Sequence, residues 1–214
     1  LNFLIKKAKV KRIKIASGDL LNPVLLFNAA ISKLPIILST GMANLSEIEV
    51  ALGIISFSSI KKKLPSKIEA LSFLKSERAQ NILKEKVTIL QCTTEYPTSL
   101  KNVNLNVIST LKQKFKLSVG LSDHTESINV AIGSAALGVS VIEKHFTLNK
   151  RLDGPDHSSS LEKNEFKDMV KAIRQVELAL GSNIKKPSNA EKLNKNKIRG
   201  KLITKKKIKK NEVF

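Results

Sequence analysis

The sequence predicts a parallel α/β protein. Three observations lead there. Short runs rich in β-branched residues alternate with helix-length amphipathic segments, five times over. Several runs are continuously apolar, as in Ile36-Ile-Leu38 and Val87-Thr-Ile-Leu90, which is the pattern of strands covered on both faces. Each run ends, on its carboxyl side, in residues with chemistry: Ser17-Gly18-Asp19, Ser39-Thr40-Gly41, Thr94-Glu95-Tyr96, Ser122-Asp123-His124 and Glu143-Lys144-His145. In parallel α/β folds, that end of the sheet is where ligands bind.

The elements follow in order. Residues 2–9 read as the end of an amphipathic helix, and Ile13-Lys-Ile-Ala-Ser17 as the first strand. Asn22-Pro23 can start a helix, because proline is tolerated at the first helical position. Leu34-Pro35 ends it. The strand Ile36 to Ser39 opens into Thr40-Gly41-Met42, and Asn44 with Glu47 has capping-box spacing for a helix to about Ile55. Residues 56–85 break the rhythm. The run Ser58, Ser59, Lys61 to Lys63 and Pro65 reads as a loop, followed by a weakly patterned helix from Glu69 to Lys84, together an insertion on the outer face. The third strand covers residues 87–93, with a helix near Leu105 to Lys114. Strand 117–123, helix 127–138 and strand 140–146 come next. A final helix has Ser159 and Glu162 at capping-box spacing, an apolar stripe from Phe166 to Leu180, and Gly181 to close it.

Bulk properties narrow the function classes. The 214 residues are enough for one sizeable domain and part of another, and 42% hydrophobic with 26% charged is an ordinary globular balance. No run approaches the roughly 18 apolar residues of a membrane span. A single cysteine, Cys92, excludes an internal disulfide, and a cytoplasmic location is expected. The net charge of +20 raises the question of nucleic acid. With no Trp and one Tyr, however, the chain lacks the aromatic interleaving of single-strand grooves. Anionic small substrates or a lysine-biased composition account for the charge, and no nucleic-acid or membrane partner is expected. After Gly181 the composition turns to Lys and Asn, which reads as a linker over 182–198; residues 199–214 regain some alternation. The chain starts at Leu1 and stops at Phe214 in mid-pattern, so it reads as an internal piece of a longer protein.

If the strands are neighbours, their ends converge. Small hydroxyls and glycines there suit an anion, since backbone N–H groups can approach its oxygens closely. Lys14 could neutralise that anion, or could be an ordinary edge lysine. His124 and His145, at equivalent positions on consecutive strands, could share a divalent metal or act as acid–base groups. Glu143 and Asp156 could bind sugar hydroxyls or orient a histidine. Asp156 follows Gly154-Pro155 and could equally serve the turn. No Gly-x-Gly-x-x-Gly or P-loop follows any strand, which removes the usual support for a nucleotide.

Six motifs, in order, resemble the sialic acid synthase family: Lys14-Ile-Ala-Ser-Gly-Asp19, Ile37-Leu-Ser-Thr-Gly-Met42, Gln91-Cys-Thr-Thr-Glu-Tyr-Pro97, Gly120-Leu-Ser-Asp-His-Thr125, Val141-Ile-Glu-Lys-His-Phe-Thr147 and Gly154-Pro-Asp156. The resemblance implies a partial TIM (β/α)8 barrel over residues 1–181, with the five strands as its fourth to eighth. It also implies a linker at 182–198 and the start of an antifreeze-like (SAF) domain at 199–214. The implied reaction condenses phosphoenolpyruvate with an N-acetylated aldose, N-acetylmannosamine or a 6-deoxy diacetamido analogue, to give a nonulosonic acid and phosphate. The implied cofactor is a divalent metal, Mn2+ or Mg2+. The resemblance assigns Lys14, Ser17, Ser39, Thr94 and Ser122 to phosphoenolpyruvate, and Tyr96, Glu143 and Asp156 to the sugar. It assigns His124 and His145 to the metal, and Asp19, Glu143 and His145 to the catalytic set. Asp19 stands where many members have Glu, and Thr94 where the family often has Asn. The full-length protein would be a homodimer, and this chain alone inactive. A metal-dependent aldolase on the same barrel and a non-catalytic basic binding module are the alternatives.

Overall fold

A computed structural model describes residues 9–213. The helix end expected at residues 2–9 lies, but for Lys9, outside the described residues. Two compact units divide at Leu180 and Gly181.

The first unit alternates strands and helices. Strand β1 (Ile13–Ile15) runs through a short 3-10 turn (Ser17–Asp19) into α1 (Pro23–Ile31), and β2 (Ile36–Ser39) leads to α2 (Leu45–Lys61). Helices α3 (Lys67–Leu74) and α4 (Glu77–Lys86) precede β3 (Val87–Cys92). Then come α5 (Leu100–Val103), α6 (Val107–Phe115), β4 (Ser118–Asp123), α7 (Asn129–Ala136), β5 (Ile142–Lys144) and α8 (Lys163–Leu180). The strands form one five-stranded sheet in sequence order, every pair parallel. Local chemistry sets the helix starts. Asn22 accepts from the Leu25 N–H with Pro23 in the first turn, and Asn44 and Glu47 close the expected capping box.

Side-chain alternation sorts the sheet into two faces. Ile13, Ile15, Ile36, Leu38, Val87, Ile89 and Val119 point into the main core, where they meet Leu26, Ile48, Leu52, Ile55, Ile108 and Leu111 from the helices. A second cluster joins Ala131 and Ala135 of α7 to Met169 and Ile173 of α8. The opposite face carries Lys14, Thr88, Ser118, Ser122 and Glu143, the polar alternates of the same strands.

That second face is concave. Lys14 on β1 and Glu143 on β5 form an ion pair at 3.2 Å, although three strands lie between them. In a flat sheet these strands would stand about 19 Å apart, at ~4.8 Å per step, beyond the combined reach of the two side chains. The sheet must therefore curl, carrying its first and last strands toward each other.

In the first unit, three expectations differ from what is observed. Helix α2 does not stop near Ile55 but continues to Lys61, with Ser56, Ser58 and Ser59 buried. Their hydroxyls donate to the carbonyls of Gly53, Lys63 and Ala30, so a serine run that reads as loop is satisfied inside a helix. The insertion holds two helices, and it packs tightly: a Cβ at Gly53 would lie 2.6 Å from the Ala70 carbonyl oxygen. The box expected between Ser159 and Glu162 does not form. Ser159 instead donates to the Asp156 carbonyl, and the Glu162 N–H donates to Glu165 ahead of α8.

In the second unit, most of the segment read as a linker is helical. Helix α9 (Asn189–Ile198) starts with a capping box between Ser188 and Glu191. Residues 199–213 form no strand, so the alternation there is not expressed as β structure. Among the described residues no helix is long and apolar enough to cross a membrane.

Candidate active site

Register builds the site. Cys92, Ser122 and Glu143 are direct partners across β3, β4 and β5, so they form one row on the concave face at the carboxyl end. Ser122 is buried and donates to Glu143 Oε1 at 2.7 Å. The same oxygen takes the Lys14 ammonium at 3.2 Å. On the other side, the Ser17 hydroxyl accepts from the Gly41 N–H at 2.9 Å and reaches the Cys92 sulfur at 3.6 Å. Ser39, the last residue of β2, is 1% exposed.

Gly41 is where these strand ends meet. A Cβ there would stand 2.4 Å from Thr94 Oγ1, 2.8 Å from Ser17 Oγ and 3.2 Å from Cys92 Sγ. Only a glycine leaves this space open. Lys14, Ser17, Ser39, Thr94 and Ser122 are thus gathered around one concavity with an ammonium, four hydroxyls and a backbone N–H, a donor set suited to an oxyanion.

The histidines lie beside it. His124 and His145 ring centroids are 5.3 Å apart, and the Tyr96 ring lies 4.2 Å from the first and 5.8 Å from the second. The loop after β3 is strapped to His124. Thr93 O lies 2.8 Å from its Nδ1, and Thr98 N–H donates to its carbonyl at 2.9 Å. With Nδ1–H donating to Thr93, Nε2 is left to the cavity, 3.4 Å from Ser122 Oγ. Burial opposes a charged imidazole, but hydrogen bonds to Cys92 and the Thr93 carbonyl outweigh it and raise the His124 pKa. Burial also pushes the Tyr96 phenol up, reinforced by the negative charges of Cys92, Asp156 and Glu143.

Cys92 is the residue that reading by motif passed over. Burial pushes its thiol up, yet hydrogen bonds from His124, Ser39 and Ser17 more than compensate, bringing it from an ordinary 9.0 to about 7. The thiolate will therefore form two pH units early. In protein stripped of divalent cations, iodoacetamide should react with Cys92 at a rate that rises with a midpoint near pH 7. A midpoint near 9 would contradict the hydrogen-bond network. The available signal was its position at the carboxyl end of a strand.

Behind the histidines, Asp123 and Lys144 pair in register and form an ion pair at 3.0 Å with both side chains 1% exposed. Lys144 also donates to the carbonyls of Thr125 and Ser127. Burial pushes its ammonium pKa down, and the Asp123 charge resists. Each member immediately precedes a histidine, so this buried clamp fixes the two strand ends that carry the imidazoles. Asp123 thus faces away from the cavity.

The remaining candidates are less tied in. Asp19 is half-buried, with Oδ1 3.5 Å from Asn22 Nδ2, and no contact links it to the others. Asp156 is exposed; its backbone carbonyl accepts from Ser159 and Ser160, and its charge is felt at Tyr96. His157 bonds Thr147 Oγ1 at 2.7 Å and serves the loop.

Two imidazoles 5.3 Å apart can share one cation at metal–nitrogen distances near ~2.1 Å. Among the described residues no group of three or more His, Cys, Asp and Glu is placed to hold a metal. If a cation binds there, His124 and His145 are the residues that would hold it, with its other positions left to water or substrate oxygens.

The model of the NeuB family matches residues 1–185. The chain belongs to the NeuB family. It is 44% identical over 211 residues to the N,N'-diacetyllegionaminic acid synthase of Campylobacter jejuni, covering 99% of this chain and 57% of that protein. It is 40% identical over 191 residues to the enzyme of the same name from Legionella pneumophila, covering 89% and 48%. The chain thus spans about half the length of the curated relatives it matches. Among solved structures, the N-acetylneuraminic acid (sialic acid) synthetase of Leptospira borgpetersenii, a citrate complex, superposes with a TM-score of 0.71 at 32% identity, over 92% of this chain and 62% of that one. The curled sheet of this NeuB chain is accordingly a parallel half-barrel of five strands, similar to that of a sialic acid synthase.

Proposed function

We propose that the protein condenses phosphoenolpyruvate with an N-acetylated aldose, forming a nonulosonic acid and inorganic phosphate. The observation that carries the reading is the oxyanion seat around Gly41, Ser122 and Lys14, placed beside paired imidazoles on the concave face. The names of the two relatives above favour a 6-deoxy diacetamido acceptor and a legionaminic-type product over N-acetylmannosamine and N-acetylneuraminate.

In this reading the enol carbon of phosphoenolpyruvate attacks the sugar aldehyde. Water adds to the resulting oxocarbenium carbon, and phosphate leaves by C–O cleavage. Lys14, Ser17, Ser39, Thr94 and Ser122 hold the anionic groups, and their preorganised donors stabilise charge on the departing phosphate. Tyr96, Glu143 and Asp156 contact the acceptor hydroxyls. His124 and His145 would hold a divalent cation, Mn2+ or Mg2+, which would supply Lewis-acid polarisation of the aldehyde oxygen. Asp19 positions the attacking water. A homodimer, a cytoplasmic location and an SAF domain opening at residue 199 belong to the same proposal, as does inactivity of the 214-residue chain by itself.

The test is phosphate release from phosphoenolpyruvate by the protein expressed from its whole gene, with each acceptor and with or without Mn2+. Cation-dependent release with the diacetamido sugar is expected. No release with either sugar from folded protein would remove the reading. Gly41→Ala offers a finer check. The added Cβ would stand within 3.2 Å of the Thr94 and Ser17 hydroxyls and the Cys92 sulfur, so it fills the seat and those short side chains must give way. Affinity for inorganic phosphate should fall roughly tenfold or more, the worth of one charged hydrogen bond.

A further inference from the structure

We propose that the Glu143 carboxylate is a built-in competitor for the anion seat, occupying it in the ligand-free protein and giving it up when the substrate's anion arrives. The inference rests on the anion-seat reading above. It goes further by assigning Glu143 a role before it meets the acceptor.

Geometry points to the occupant. A single oxygen, Oε1, receives both the Ser122 hydroxyl at 2.7 Å and the Lys14 ammonium at 3.2 Å. One comes from the neighbouring strand, the other from the far edge of the sheet. A hydroxyl and an ammonium converging on one negative oxygen is the arrangement an oxyanion needs. Glu143 therefore stands where a phosphate or carboxylate oxygen of the ligand would stand. No other acidic side chain pairs with Lys14 among the described residues.

The seat cannot serve both. A dianionic phosphate bound to Lys14 and Ser122 would lie against the Glu143 carboxylate, and like charges at that distance exclude each other. Glu143 must swing away. It has room to move, because its side chain is 39% and that of Lys14 34% exposed, so the pair opens to solvent instead of being locked in the core. The buried clamp of Asp123 and Lys144, one position on, keeps the strand in place while the side chain turns. Contrasting exposure on adjacent residues of one short strand separates a fixed anchor from a displaceable group.

Removing the charge while keeping the shape tests this. Glu143→Gln keeps an oxygen that accepts from Ser122 but no longer neutralises Lys14. Inorganic phosphate would be titrated calorimetrically into the whole-gene protein as wild type, Glu143→Gln, Lys14→Met and the double variant. Glu143→Gln should bind phosphate about tenfold more tightly or better, and the gain should vanish in the Lys14→Met background. Equal or weaker binding by Glu143→Gln, with wild-type binding that depends on Lys14, overturns the competitor role and leaves the anion seat standing. Absence of Lys14-dependent binding in every folded variant removes the seat itself, and the competitor with it. Glu143→Ala, which removes acceptor and charge together, is the second variant should the glutamine fail to fold; it too must tighten phosphate binding.

Discussion

Replacing Lys144 with Met will destabilise the fold by roughly 3–5 kcal/mol. The reason is the charge left behind. Asp123 is 1% exposed, and Lys144 is its partner at 3.0 Å; without it the carboxylate stays buried with its charge uncompensated, holding the Thr125 N–H. The lost ammonium also strands the Thr125 carbonyl and leaves the Ser127 carbonyl with the Thr125 hydroxyl alone. A loss this large is a big share of a single domain's stability. Urea unfolding of the single variant measures it, and a change under 1 kcal/mol would show that the clamp does not carry the strand ends. The double variant Asp123→Leu with Lys144→Met should recover much of the loss, because well-packed apolar pairs often replace buried ion pairs at little cost. An activity deficit in a stable double variant would then report the clamp's part in aligning the imidazoles.

Lys14→Met should do the reverse, sparing stability and removing function. Its ion pair with Glu143 is a third exposed, and solvent-accessible pairs contribute at most about 1 kcal/mol. In the proposed reaction, however, Lys14 is the cation that meets the ligand's negative charge. Its loss should lower kcat/KM for phosphoenolpyruvate roughly 100- to 1,000-fold, the range for deleting one preorganised donor to a charged transition state. The effect should fall on phosphoenolpyruvate and spare KM for the sugar. Steady-state kinetics with each substrate varied in turn separates the two. A raised KM for the sugar with that for phosphoenolpyruvate unchanged would place Lys14 outside the anion seat.

Much of this was legible in the chain because parallel strands leave a strong local trace. Apolar runs with hydroxyl, glycine and histidine ends recur at each unit, and Asn44 with Glu47 closes its box as the spacing requires. The misreadings share one cause. Serine in a run looks like loop chemistry, yet Ser56, Ser58 and Ser59 return their hydroxyls to carbonyls and lie buried in α2. Ser159 has the right spacing to cap a helix, but the carbonyl of Asp156 claims its hydroxyl. Spacing states which bonds are available, and competition in three dimensions decides which are made.

The sequence by itself determined the parallel α/β class, the order of its five strands and the residues at their carboxyl ends. These follow from periodicity and residue type, which are local. Only the tertiary structure decided how those ends are used. Register set Cys92, Ser122 and Glu143 in one row, and turned Asp123 and Lys144 to the opposite face as a buried clamp. Curvature carried Lys14 to Glu143 across the sheet. Both depend on how strands far apart in the chain lie against one another, and hydrophobic burial of the helix-facing side fixes that arrangement without leaving a mark in any single stretch of residues.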